Sequence, residues 1–171
     1  MDVCEFAMKM EEDGRAYYRN LAIQSALPGL KTIFSELAED EQKHYDVFRQ
    51  LKTGAGVPAM AESTALDTAR NVFEALPRGT IALKGIADCA AAYDHAMQLE
   101  AESFAFYERA ASEEKNQETR KLLIRIAIEE RKHYDILENI FHFVNAPNQS
   151  LEWGEFSNLG EFRQFGRETD S

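Results

Sequence analysis

The chain has 171 residues, 44% of them apolar, with no break in composition, which suits one domain with a core of its own. Its formal charge of −11 argues against nucleic acid as a partner, because affinity for phosphate backbones comes from clustered Lys and Arg. No apolar run approaches the ~18 residues of a membrane span and no basic-then-apolar leader is visible, so a cytoplasmic protein that does not engage membranes is expected.

Pro28, Pro58, Pro77 and Pro147 fall at the edges of long apolar-periodic runs, as helix punctuation does, and the chain reads as all-α. From Val3 to about Ser25, Ala7, Glu11, Tyr18 and Ala22 recur at four- and seven-residue steps, one face of a helix. From Pro28 to Lys52 the stripe is Leu30, Phe34, Leu37, Glu41, His44, Phe48 and Leu51, stopped by Thr53-Gly-Ala-Gly-Val-Pro58. A short helix is expected from Glu62 to Leu76, with a cap in Glu-Ser-Thr. A third long helix is expected from near Thr80 to Glu114. A fourth, from about Glu118 to Val144, carries Leu122, Ile126, Glu130, His133, Leu137 and Phe141. The expected organisation is a bundle over 1–147, made of hairpins 2–53 and 80–145 and a crossover 54–79, followed by a tail over 148–171. Trp153, Phe156, Phe162 and Phe165 in that tail suggest that it docks on the bundle or on a partner. Cys4 and Cys89 stand apart with no C-x-x-C pair, and each is expected as a small buried residue.

The hexapeptide EQKHYD at 41–46 returns as ERKHYD at 130–135, and the repeat is larger than these six residues. Laid over 94–140 without a gap, residues 5–51 align Ala7, Met8, Glu11, Ala16, Tyr18, Ala22 and Ala38 with identical residues 89 positions on, as well as most of the hexapeptide. Two helix hairpins with a pseudo-twofold relation follow, and the long crossover between them permits an up-down-down-up bundle.

Glu41 and His44 are one turn apart on a stripe flanked by Leu37 and Phe48, and Glu130 and His133 repeat this between Ile126 and Leu137. Glu11 and Glu100 each precede their Glu-x-x-His by the same 30 residues. If the stripes face inward, four carboxylates and two imidazoles meet inside one bundle. Buried carboxylates without compensation are too costly to stay ionised, and Lys43 and Lys132 lie off the stripe. Two carboxylate-bridged metal ions would balance the charge, with oxygen and imidazole donors suited to iron or manganese and tolerant of zinc. One Glu from each of two helices with Glu-x-x-His from the other two is the ligand set of di-iron carboxylate bundles. Tyr18 and Tyr107, two turns past Glu11 and Glu100, either bond to ligands, serve as local electron donors or are core aromatics satisfied elsewhere. Asp46 and Asp135 either accept from a metal-bound imidazole or face solvent. His95 and His142 lie outside the pattern.

Glu11 with Tyr18, E41-Q-K-H44, Glu100 with Tyr107, and E130-R-K-H133 together resemble the rubrerythrin-like branch of the ferritin-like superfamily over residues 2–144. The resemblance implies a ferritin-like four-helix bundle holding two iron ions on Glu11, Glu41, His44, Glu100, Glu130 and His133, with Glu41 and Glu130 bridging. It also implies reduction of hydrogen peroxide or oxygen and, by the same likeness, a homodimer. Three departures stand out. No four-cysteine rubredoxin domain is present, so an external electron donor protein is expected. Ser103 stands where the family carries a further Glu that exchanges with a His on redox change. The crossover and the aromatic tail exceed the bare bundle. A ferroxidase or iron-storage role on the same ligands, and a regulatory metal-binding bundle without turnover, are the alternatives.

Overall fold

A computed structural model of the chain describes residues 2–75 and 90–145, the side chains of 144 and 145 excepted. Within them are five helices, α1 Val3–Gln24, α2 Pro28–Lys52, α3 Ala65–Ala75, α4 Ala90–Glu113 and α5 Gln117–Asn145. The first ten residues expected in the third long helix, Cys89 and the aromatic tail lie outside the described residues.

Local chemistry sets most of the boundaries. Pro28 opens α2 at a position whose N–H has no helical partner in any case. Gly54 just past α2 has φ 71°, the left-handed turn that ends helices and that glycine adopts without strain. Asn116 caps α5 by accepting from the N–H of Thr119 at 2.9 Å. The short helix begins at Ala65, three residues later than the periodicity suggested, because Ser63 and Thr64 are used as caps. The Ser63 hydroxyl accepts from the N–H of Ala65 at 3.2 Å, and the Thr64 carbonyl takes the N–H of Thr68.

Contacts between the hairpins fix their direction. Phe6 meets Phe106 at 4.9 Å between ring centres, while the Tyr17 hydroxyl donates to the carbonyl of Ala92, so α1 and α4 run antiparallel. On the opposite face His44 meets Glu129 and His133 meets Asp40, so α2 and α5 are antiparallel too. The order of the four long helices is up-down-down-up, a ferritin-like helical bundle. Helix α3 buries Ala65, Ala69 and Phe73, one face at four-residue steps. It lies so close to α2 that a Cβ on Gly29 would come within 2.5 Å of Val72, and Phe73 packs edge-on against Phe143 of α5.

The core comes in two parts. One includes Leu37, Ala38, Met97, Ile136 and Leu137, and the other Ala7, Val47, Phe48, Tyr107 and Ala127. Along each long helix the two are separated by buried polar residues: Glu11 in α1, Glu41 and His44 in α2, Glu100 in α4, Glu130 and His133 in α5. The bundle is two apolar plugs around a polar layer.

Candidate metal centre

The polar layer is built by the repeat. Glu41 and His44, three residues apart in α2, project from one face, and Glu130 with His133 do so from α5. The six residues are between 0% and 4% exposed. Their donor atoms form two groups, each with all atoms within 4.8 Å of one another: Glu11, Glu41, His44 and Glu130, and Glu41, Glu100, Glu130 and His133. Glu41 and Glu130 belong to both.

The hydrogen-bonding pattern sets which atoms face inward. The Nε2 of His44 lies 2.9 Å from Glu129, and that of His133 lies 3.1 Å from Asp40. A carboxylate can only accept, so each Nε2–H donates to it and each Nδ1 is left facing the centre. His44 Nδ1 is 2.8 Å from Glu130 and 3.4 Å from Glu11. His133 Nδ1 is 3.1 Å from Glu41 and 3.6 Å from Glu100. The Tyr18 hydroxyl donates to Glu100, and the Tyr107 hydroxyl to Glu11, each across to the other hairpin. Every contact in this layer has a partner 89 residues away, so the pseudo-twofold axis passes through the centre.

Six buried donor atoms, one from each residue, make no well-formed hydrogen bond and face only one another: Oε2 of Glu11, Oε1 of Glu41, Nδ1 of His44, Oε2 of Glu100, Oε1 of Glu130 and Nδ1 of His133. Buried polar atoms are rarely left this way, and here the orphans converge. The protein's own charges cannot settle them. Burial, then the neighbouring carboxylates Glu130 and Glu11, pushes Glu41 well above the ordinary carboxylate range, and burial with Glu100 and Glu11 does the same to Glu130. Burial disfavours the charged imidazoles, but the charges of Glu11 and Glu100 win and hold His44 and His133 well above the ordinary value. Glu11 is also desolvated, yet its contacts with Glu41 and His44 hold it below its usual range. Without a cation the layer retains protons that exposed groups of the same kind would release. Hard oxygen donors with two imidazole nitrogens fit one or two ions of the iron or manganese type. Burial and the adjacent carboxylate raise both tyrosines, so they remain neutral donors.

A cleft of about 110 Å³ opens onto this layer between α1 and α4, walled by Tyr18, Glu41, Glu100 and Glu130 and bordered by Gly14 and Ser103. A Cβ on Gly14 would sit 3.3 Å from Oε2 of Glu41, so glycine lets α1 approach that carboxylate. The volume holds several waters or one small oxidant.

Glu11, Glu41, His44, Glu100, Glu130, His133, Tyr18 and Tyr107, all singled out in the sequence, lie in this layer or bond to it. Asp46 does not: it is paired with Arg49 at 3.1 Å on the surface. Asp135 is half-buried and raised to about 6, mainly by burial, and has no contact with an imidazole among the described hydrogen bonds. The imidazole-orienting positions belong to Asp40 and Glu129, which sequence reasoning missed. The signal was present, since an acid immediately precedes the Glu of both Glu-x-x-His pairs at the same offset. Lys43 is half-buried and reaches Asp40 at 2.9 Å, although it lies off the stripe. His95 stands edge-on to Tyr17, away from the centre, and His142 is exposed. Cys4 is a free, half-buried thiol and not a core residue.

Among the described residues no helix is long and apolar enough to cross a membrane. No curated protein and no solved structure matches the chain. The rubrerythrin family model matches residues 2–141, both hairpins and the α3 crossover included. The chain therefore belongs to the rubrerythrin family, a ferritin-like di-iron family.

Proposed function

We propose that the chain is a non-haem di-iron oxidoreductase that reduces hydrogen peroxide, or dioxygen, with electrons from a separate donor protein. The observation that carries this reading is the set of six orphaned donor atoms shared between two overlapping groups, with a cleft leading to them. Glu11 and His44 would hold one ion, Glu100 and His133 the other, and Glu41 and Glu130 both. With iron bound, such a pair supplies the two electrons that, with two protons, convert one peroxide into two waters. The protein's part is to hold the ligands on four rigid helices and to admit only small molecules between Gly14 and Ser103. Tyr18 and Tyr107 fix the outer oxygens of Glu100 and Glu11 by hydrogen bonds. The donor protein, a homodimeric assembly and a cytoplasmic setting belong to the same proposal.

Ferrous-ion oxidation is the second reading. It is favoured by Asp13 and Glu102 at the border of the same cleft, which would draw cations toward it. The test is anaerobic loading with ferrous iron followed by peroxide, monitored by Mössbauer and optical spectra with a chemical reductant supplied. Repeated, stoichiometric peroxide consumption with two irons retained per chain is expected. Iron released after each oxidation, or a large hollow assembly, would favour the ferroxidase. Binding of fewer than two irons, or a spectrum unchanged in Glu41→Ala, would overturn both.

A further inference from the structure

The two halves of the centre agree in their ligands and differ in what stands behind them. Behind His44, Glu129 is 5% exposed and, among the described residues, accepts a hydrogen bond only from the imidazole, at 2.9 Å. Behind His133, Asp40 is 3% exposed and accepts three: from His133 at 3.1 Å, from the Lys43 ammonium at 2.9 Å, and from the hydroxyl of Ser63. Ser63 is not in the four-helix repeat at all. It comes from the crossover, where with Thr64 it caps α3, and Thr64 and Thr68 pin that end of the helix to Glu36 of α2. Among the described residues, the crossover thus bonds to the carboxylate behind one half-site and not to the one behind the other.

A carboxylate that accepts from an imidazole N–H pushes electron density toward the other ring nitrogen and strengthens it as a ligand. The push weakens when the carboxylate's charge is shared with an ammonium and a hydroxyl. We propose that the two metal positions are therefore inequivalent, the one at Glu11 and His44 being the tighter, with Ser63 the positioning residue that weakens the one at Glu100 and His133. Metal fills the centre in sequence, and the crossover sets the gap. This inference rests on the two-metal reading of the centre.

The test is an anaerobic titration of the full-length apoprotein with Co²⁺. It is followed by visible absorption and by the paramagnetically shifted, exchangeable Nε2–H proton signals, one per ligating histidine. Partners of metal-bound imidazoles typically change affinity by about 10–100-fold, so two steps about tenfold apart are expected, with a single histidine signal at the first equivalent. Ser63→Ala should tighten the second step and bring the two to within about threefold, and Ser63→Thr should restore the gap. Glu129→Gln should weaken the first step by about tenfold and move the first signal, and this decides the matter if Ser63→Ala does not fold. Two equal steps with both signals rising together, an unchanged gap in Ser63→Ala, or Glu129→Gln acting on the second signal would overturn the inequivalence while leaving the two-metal centre standing. Fewer than two cobalt ions bound would overturn the centre itself.

Discussion

Tyr107→Phe isolates one hydrogen bond of the centre without disturbing its packing. The ring is fully buried and stacks on Phe48 with 5.4 Å between centres and 8° between planes, and phenylalanine keeps that stack. What is lost is the O–H that donates to Glu11. Glu11 is ionised in the metal-free protein, and its other oxygen makes no well-formed hydrogen bond, so the change leaves a buried carboxylate without a neutral donor. A hydrogen bond to a charged group contributes about 1.5–3 kcal/mol, and ring burial is unchanged, so the apoprotein should lose about 2 kcal/mol. In a chain of this size that is a fall in Tm of about 4–8 °C. Thermal unfolding of the metal-free protein near neutral pH, by far-UV circular dichroism, measures it. Tyr18→Phe should behave alike through Glu100. With metal bound the effect should shrink, because the ion then holds Glu11. A Tyr107→Phe apoprotein within about 0.5 kcal/mol of the parent, the usual range for a change at an uninvolved surface site, would refute the assignment of this hydroxyl to a charged, buried acceptor.

Other outcomes follow from the same geometry. Glu41 belongs to both groups of donors and Glu11 to one, so Glu41→Ala should strip metal from both positions whereas Glu11→Ala should retain about one ion per chain, as counted by elemental analysis. In the apoprotein, Glu41 and Glu130 are raised above the ordinary 4.5 and His44 and His133 above 6.5, so the folded state holds protons that the unfolded chain has released. Their stabilisation is complete below those ordinary values and is lost as pH rises through the raised ones, so apoprotein Tm should fall as pH rises from the ordinary carboxylate range past that of a free imidazole. The loaded protein should not show that slope, and an apoprotein that grows more stable over the same range would contradict the buried layer. Gly14→Ala puts a methyl 3.3 Å from Oε2 of Glu41. Helix propensity alone favours the alanine by about 0.5–1 kcal/mol, so apoprotein stability should hold or rise while metal affinity drops.

Much of this protein was legible in the residues themselves. The 3.6-residue stripes marked four long helices, and the offset of 89 gave the two hairpins and their symmetry. Acids and imidazoles at stripe positions announced a polar layer, because those positions face the core whatever residue occupies them. The residues behind the layer were harder to see. Asp40 and Glu129 lie next to Glu41 and Glu130 in the chain, but which acid reaches an imidazole depends on how α2 and α5 cross, and one-dimensional spacing does not contain that angle. The same limit put Asp46 and Asp135 forward as candidate imidazole acceptors in their place. Ser63 is further removed still: nothing local ties a crossover serine to a carboxylate 23 residues earlier until α3 is laid against α2. Periodicity along a helix is a property of the chain, so the sequence determined the polar layer and the bundle. Contacts between helices and the asymmetry of the two half-sites depend on packing, and only the tertiary structure decided them.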